Sequence, residues 1–178
     1  SSVGELNDAL DLLRCARAEL EEEGVQVSTP RVGIMVEVPS AVYQIDTLIK
    51  RVDFASVGSN DLTQYLLAVD RNNDRVAKLY DPLHPAVLAA IRHVVERGQA
   101  AGRPIGICGE MAGDPASALL LLAMGVDSLS MNLGSLLKIK WMIRSIRHDA
   151  ARELLAEVMA FDDAAAIRDR ANAFLDQH

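Results

Sequence analysis

The chain has 178 residues, half of them hydrophobic, and a formal net charge of −7. That length and apolar content suit one domain with a real core and exclude a disordered chain. The negative charge argues against broad binding to nucleic acid or an anionic membrane surface, and the longest apolar run, Ala118 to Val126, is a core helix rather than a bilayer span. Ser1 to Glu5 lacks a basic region followed by an apolar one, so no signal peptide is expected. Cys15 and Cys108 are too few for a disulfide framework, which makes a reducing cytoplasm the expected compartment.

In chain order, Ser2 and Glu5 fit a capping box that opens a helix. Its Leu6, Leu10, Leu13 and Leu20 share one face to about Glu23, before a stop at Gly24. Gly33–Val36 and Phe54–Val57 are short apolar runs bounded by Pro or Gly, the pattern of strands buried on both faces. Between them, Ser40 to Arg51 carries Val42, Ile45, Leu48 and Ile49 at helical spacing, which predicts a parallel crossover unit. Leu62 to Leu67 reads as a short helical turn and Asp70 to Asp81 as a long polar loop. His84-Pro85 opens a helix that ends at Gly98 or Gly102, and Pro104 to Cys108 is a third strand. Asp114-Pro115 caps the next helix, Gly125 ends it, and Ser128 to Met131 is a fourth strand. Helices over Gly134–Arg147, Asp149–Met159 and Ala164–Asp176 follow. No linker divides the chain, so residues 1–178 are expected to form one unit, with 149–178 as terminal helices.

Four β-α units behind a leading helix predict an α/β fold, the half of a (β/α)8 TIM barrel with four parallel strands and flanking helices. A doubly wound sheet is the alternative, but Glu37-Val38-Pro39 stands where its glycine-rich phosphate fingerprint belongs. The inner face is expected to be apolar, from residues such as Ile34, Val36, Val57 and Ile107. With two open parallel edges, that face is expected to drive association into a homo-oligomer.

Glu37 and Asp61 each lie just beyond a strand, at the same edge of the sheet. Two carboxylates converging there suit a divalent cation, because a carboxylate in such a place is costly unless paired. A helix cap or an ion pair is the plainer alternative, and Asp61 could cap the turn at Leu62. Gly58-Ser59-Asn60-Asp61 joins a flexible turn, a hydroxyl, an amide and a carboxylate. Asn60 can donate to a substrate oxygen, although Ser-Asn-Asp is also ordinary turn chemistry. Arg71 is a phosphate or carboxylate clamp by type and a surface arginine by context. Cys108 ends the third strand beside Gly106 and Gly109, where a thiol is a nucleophile, a proton donor or an inert core residue. Glu110 reads as a loop anchor and Cys15 as packing. His84, His93, His148 and His178 share no spacing that suggests a zinc site or a phosphoryl carrier. Met35, Met124 and Met131 read as core, and Met111 as pocket lining.

Taken together, Gly33-Ile-Met-Val-Glu-Val-Pro39, Gly58-Ser-Asn-Asp-Leu-Thr-Gln-Tyr65, Ala68-Val-Asp-Arg71 and Cys108-Gly-Glu-Met-Ala-Gly-Asp114 resemble the carboxyl-terminal domain of the Enzyme I family. These are the phosphoenolpyruvate–protein phosphotransferases of the bacterial phosphotransferase system, including its nitrogen-related branch. The motifs stand in order and with compatible spacing, from the first helix to at least Arg147. Ser59 stands where Thr is common in that family, and Asn72 where Gly is frequent.

The resemblance implies a (β/α)8 barrel that binds phosphoenolpyruvate through Mg²⁺. It implies Glu37 and Asp61 as metal ligands, Asn60, Asp61 and Arg71 as substrate-binding residues, and Cys108 as the acid that protonates the enolate to give pyruvate. It also implies a phosphocarrier protein as partner, reached through a histidine in a Gly-Gly-x-x-Ser-His-like motif on another domain. That motif is missing here, so the chain alone is expected to be inactive. Pyruvate phosphate dikinases and phosphoenolpyruvate synthases share the barrel and the metal acids and are the near alternative. A non-catalytic regulatory or oligomerisation module is the alternative of another class, against which the joint presence of Glu37, Asp61, Arg71 and Cys108 speaks.

Overall fold

The computed structural model describes residues 2–177; Ser1 and His178, both considered above, lie outside them. Helix α1 (Val3–Glu22) starts at a capping box. The Ser2 hydroxyl accepts the Glu5 N–H at 3.3 Å, and the Glu5 carboxylate accepts the Ser2 N–H at 2.7 Å.

Strands β1 (Gly33–Val36), β2 (Phe54–Gly58), β3 (Ile105–Cys108) and β4 (Ser128–Ser130) form one parallel sheet in the order β1-β2-β3-β4. A doubly wound sheet reverses its strand order at a switch point and carries helices on both faces. With crossovers of the usual right hand, a strictly sequential order keeps the helices on one face. The chain is therefore an α/β fold wound as half of a (β/α)8 barrel, four parallel strands with flanking helices.

The crossover from β1 to β2 is broken rather than one helix. It runs as α2 (Pro39–Tyr43), α3 (Ile45–Leu48) and a 3₁₀ turn over Ile49–Arg51. Gln44, at φ −99° and ψ 5°, leaves the helical conformation between the pieces, yet Val42, Ile45, Leu48 and Ile49 all stay buried. The turn expected over Leu62–Leu67 is the latter part of a nine-residue helix, α4 (Ser59–Leu67), which leaves β2 with no loop between. Helix α5 (Pro85–Ala100) leads to β3, and α6 (Glu110–Gly113) and α7 (Pro115–Met124) lead to β4. Helices α8 (Leu133–Ser145), α9 (His148–Val158) and α10 (Ala164–Leu175) complete the chain. Almost every side chain of α7 is buried, because the apolar helix has α8, α9 and α10 packed around it.

Burial along the strands corrects the expectation about the inner face. Val36, Val57 and Ile107 are fully buried in one row of the register, and Ile34, Ala55 and Ile105 belong to the same side, against the helices. With a side-chain period of two, the open concave face instead carries Met35, Phe54, Ser56, Gly106, Cys108 and Ser128. Small and polar residues dominate there. A four-residue strand shows too few alternations to tell its rows apart when Met and Gly sit between Val and Ile. A hollow of about 330 Å³ lies on this face, lined by Arg31, Phe54, Ser56, Gly106 and Ser128 among others. The Arg31 guanidinium stands 5.8 Å from the centre of the Phe54 ring.

The methionines sort differently from expectation as well. Met111 is core, at 1% exposure, whereas Met35 is 49% exposed on the concave face. Two further apolar surfaces remain open: α1 has no fully buried residue, and α8 presents Leu133 (84% exposed), Leu137 and Trp141 at one-turn intervals. Among the described residues, no helix is long and apolar enough to cross a membrane.

The amino ends of the strands repeat one device. The Asp53 N–H donates to the Val32 carbonyl at 2.7 Å while its carboxylate accepts the Val32 N–H at 2.8 Å. Asp127 treats Ile105 in the same way, at 2.9 and 2.7 Å. Each acid stands one residue before a strand and ties it to the preceding one. Asp127→Ala should leave the Ile105 N–H unpaired and cost roughly 1–3 kcal/mol in chemical denaturation. Asp127→Asn, which keeps a carbonyl acceptor, should lose less; equal midpoints for Asp127→Ala and the unaltered chain would refute the role.

Candidate functional site

The carboxyl ends of β1, β2 and β3 and the segments that follow them bring the site together. Val36 pairs with Val57, so Glu37 stands beside Gly58 at the end of β2. A Cβ at Gly58 would lie 2.7 Å from the Glu37 Oε1, so only glycine lets that carboxylate fold over the strand end. Helix α4 then begins at once, with Ser59, Asn60 and Asp61 in its first turn. The acid there complements the positive end of the helix.

This corner is stitched to the end of β3. The buried Ser59 hydroxyl donates to the Cys108 carbonyl at 3.0 Å, and the Thr63 hydroxyl donates to the Ser59 carbonyl at 2.7 Å. Asn60 Oδ1 accepts the Glu110 N–H at 3.1 Å. That bond fixes the amide orientation: with the oxygen committed to an N–H, the Asn60 NH₂ is left as a donor. Gly109, between the two partners, sits at φ +119°, and a Cβ there would collide with the Ser59 hydroxyl.

Cys108 is half-buried, a free thiol on the concave face. Its Sγ lies 3.6 Å from the Met35 Sδ and 3.5 Å from the Val57 carbonyl oxygen. Neither acceptor holds the thiol proton strongly, so the proton stays available to a reactant.

Arg71, from the loop after α4, reaches the Glu110 carboxylate at 3.5 Å. Tyr80, at the far end of that loop, places its hydroxyl 3.5 Å from the Asn60 carbonyl. Burial pushes the Tyr80 phenol above its ordinary value of 10.0, the charge of Glu110 adds to this, and Arg71 opposes it.

Glu37 and Asp61 are half-buried, and among the described residues neither has an ion pair or side-chain hydrogen bond. No group of three or more His, Cys, Asp or Glu side chains gathers around a common point among those residues. Two hard oxygen donors without a protein cation suit Mg²⁺, which keeps several waters and accepts the rest of its shell from a substrate phosphate. A structural zinc or calcium cage would need more protein ligands than these.

The chain matches the family model for the PEP-binding domain of PEP-utilising enzymes over residues 1–148. It belongs to that family. The chain is 42% identical over 178 residues to the phosphoenolpyruvate-dependent phosphotransferase system protein of Salmonella typhimurium, covering 99% of this chain and 24% of that protein. It is 43% identical over 175 residues to the phosphoenolpyruvate–protein phosphotransferase of Haemophilus influenzae, covering 98% of this chain and 30% of the relative. With the same enzyme of Staphylococcus carnosus, identity is 44% over 155 residues, or 86% and 27% of the two chains. The chain thus spans between about a quarter and a third of the length of these relatives.

In the structure, Glu37, Asn60, Asp61 and Cys108 lie at adjoining strand ends, and Arg71 joins them through Glu110. Sequence reasoning read Met35 as core and missed Tyr80 and the positioning role of Ser59. Only Ser59 left a signal, as a hydroxyl inside a motif; the other two depend on which way a strand face and a loop turn.

The raised phenol makes a pH test with a defined sign. A tyrosine whose folded value exceeds its unfolded one contributes stability below about pH 10, and loses it as pH rises through the folded value. Glu110→Gln removes the repulsion and frees Arg71, so the Tyr80 titration should move down. The phenolate absorbance band, assigned by difference against Tyr80→Phe, measures it; an unchanged or higher midpoint would contradict the coupling.

Proposed function

We propose that this chain is the phosphoenolpyruvate-binding, Mg²⁺-dependent half-site of a phosphoenolpyruvate–protein phosphotransferase. In this reading residues 1–178 are one unit of the barrel, 149–178 are its terminal helices, and the acceptor histidine and the rest of the barrel belong to other parts of the parent protein. A phosphocarrier protein would receive the phosphoryl group through those other parts, and the chain alone would be inactive. The two free cysteines support a cytoplasmic setting.

One observation carries the reading. Two carboxylates without a partner among the described residues, an amide with a donor NH₂, a guanidinium and a weakly held thiol adjoin one end of three neighbouring strands. Those are the group types that phosphoenolpyruvate chemistry uses: anchors for a cation and for phosphate, and an acid for carbon.

Glu37 and Asp61 would hold the metal, which supplies charge neutralisation for phosphoryl transfer. Asn60 donates to a substrate oxygen, and Arg71 clamps phosphate or carboxylate in exchange for its loose contact with Glu110. The P–O bond of phosphoenolpyruvate breaks as an N–P bond forms on the acceptor histidine, leaving the enolate of pyruvate. Cys108 then gives its proton to the terminal carbon, and the thiolate regains a proton from water.

The test is made in the parent enzyme. Glu37→Ala and Asp61→Ala should each lower phosphoryl transfer by roughly 10³-fold, several kcal/mol of lost charge neutralisation, while the fold persists. Cys108→Ala should still form phosphohistidine and yet release pyruvate about 10²–10⁴-fold more slowly. Near-normal Mg²⁺-dependent turnover in either acid variant, or unchanged pyruvate release in the thiol variant, would overturn the assignment.

Self-association belongs to the same reading, since among the described residues neither sheet edge has a further strand beside it and Leu133, Leu137 and Trp141 are exposed. Sedimentation should give a mass above that of one chain at micromolar concentration, and a stable monomer would refute it.

A further inference from the structure

Two segments carry the groups that would meet phosphoenolpyruvate away from the strand ends. One runs from Arg71 to Asp81 and includes Tyr80; the other runs from Glu110 to Asp114. Their front ends touch where Arg71 meets Glu110 at 3.5 Å. Their back ends are joined by a residue of α10, far along the chain. Arg168 Nη2 lies 3.3 Å from Asp81 Oδ1, and Nη1 lies 3.5 Å from Asp114 Oδ2.

Both carboxylates are fixed before the arginine reaches them. Asp81 Oδ1 accepts the Leu83 N–H at 2.9 Å. Asp114, the N-cap of α7, accepts the Ser117 N–H at 3.1 Å and its hydroxyl at 2.6 Å. Two acids held this close to one point repel unless a cation lies between them. A planar guanidinium, offering several donors in a fixed fork, can serve both at once; a single ammonium cannot do so with the same geometry. Removing Arg168 therefore loses two ion pairs and leaves a repulsion that drives the back ends apart. Between those ends and the Arg71–Glu110 contact run the loop that presents Tyr80 and Arg71 on one side and α6 on the other.

We propose that Arg168 is a positioning residue: by bridging Asp81 and Asp114 it sets the loop of residues 70–83 so that Arg71 and Tyr80 face the phosphoenolpyruvate site. Arg168 lies on α10, beyond the residues the family model matches, 1–148. The proposal rests on the phosphoenolpyruvate reading of the site.

The test compares Arg168→Gln with Arg170→Gln. Arg170 is on the same helix and pairs with Glu157 of α9 at 2.7 Å, away from the loop. It therefore reports on a general loosening of α10. Amide hydrogen exchange of residues 72–80 should quicken on the order of tenfold in Arg168→Gln and not in Arg170→Gln. In the parent enzyme, the KM for phosphoenolpyruvate should rise by about tenfold in Arg168→Gln with kcat within about twofold, and Arg168→Lys should fall between. Equal exchange and equal KM in the two glutamine variants would overturn the proposal alone. An unaltered protein that fails to bind phosphoenolpyruvate with Mg²⁺ would overturn the functional reading and the proposal together.

Discussion

The join between β2 and α4 is the constraint on which the site depends. Gly58 ends the strand and Ser59 starts the helix, so no loop absorbs an error in direction. Ser59 and Asn60 then bind the backbone at Cys108 and Glu110, which fixes the end of β3 relative to the end of β2. Those two bonds set the places of the amide and the thiol, and through Glu110 that of the guanidinium. Glycine at 58 and 109 is a consequence: both positions lie where side chains from the neighbouring segment pass too close for a Cβ.

The sheet explains why such a corner can hold. Parallel pairing in sequential order puts all four carboxyl ends at one edge, while apolar rows at the helix face supply the core. Buried Val, Ile and Leu side chains on that face stabilise the strands by about 1.5–3 kcal/mol each. The concave face contributes little of this and is free to carry Met35, Ser56, Cys108 and Ser128. Division of labour between rows lets the chemistry sit on a rigid strand end without a polar group intruding on the core.

The proposed positioning by Arg168 would give the terminal helices a second role besides packing on α7. Through Arg168, α10 reaches back to the root of the loop that carries Arg71. Exposed arginines such as Arg71 are the least constrained groups in such a site, since a long side chain on a polar loop has much rotamer freedom to lose. On the phosphoenolpyruvate reading proposed above, holding the loop from behind would reduce that cost on substrate binding. The two acids that receive Arg168 have no such role legible in their motifs: Asp81 reads as loop and Asp114 as a helix cap.

What the sequence determined by itself was substantial. Apolar runs bounded by Gly and Pro marked the four strands, caps marked the helices, and the repeat of these units marked the half-barrel. The Glu37, Asn60-Asp61, Arg71 and Cys108 motifs, read together, named the family. Local chemistry is enough for these because caps, turns and short motifs involve neighbours a few residues apart. The tertiary structure decided the rest. It turned Met35 outward and Met111 inward, put Val36, Val57 and Ile107 against the helices, and broke the crossover at Gln44. It also brought Tyr80 to Asn60, Glu110 to Arg71 and Arg168 to two acids. Each of these joins residues at least 20 positions apart, and no period or spacing along the chain records which side chains meet once the strands have paired.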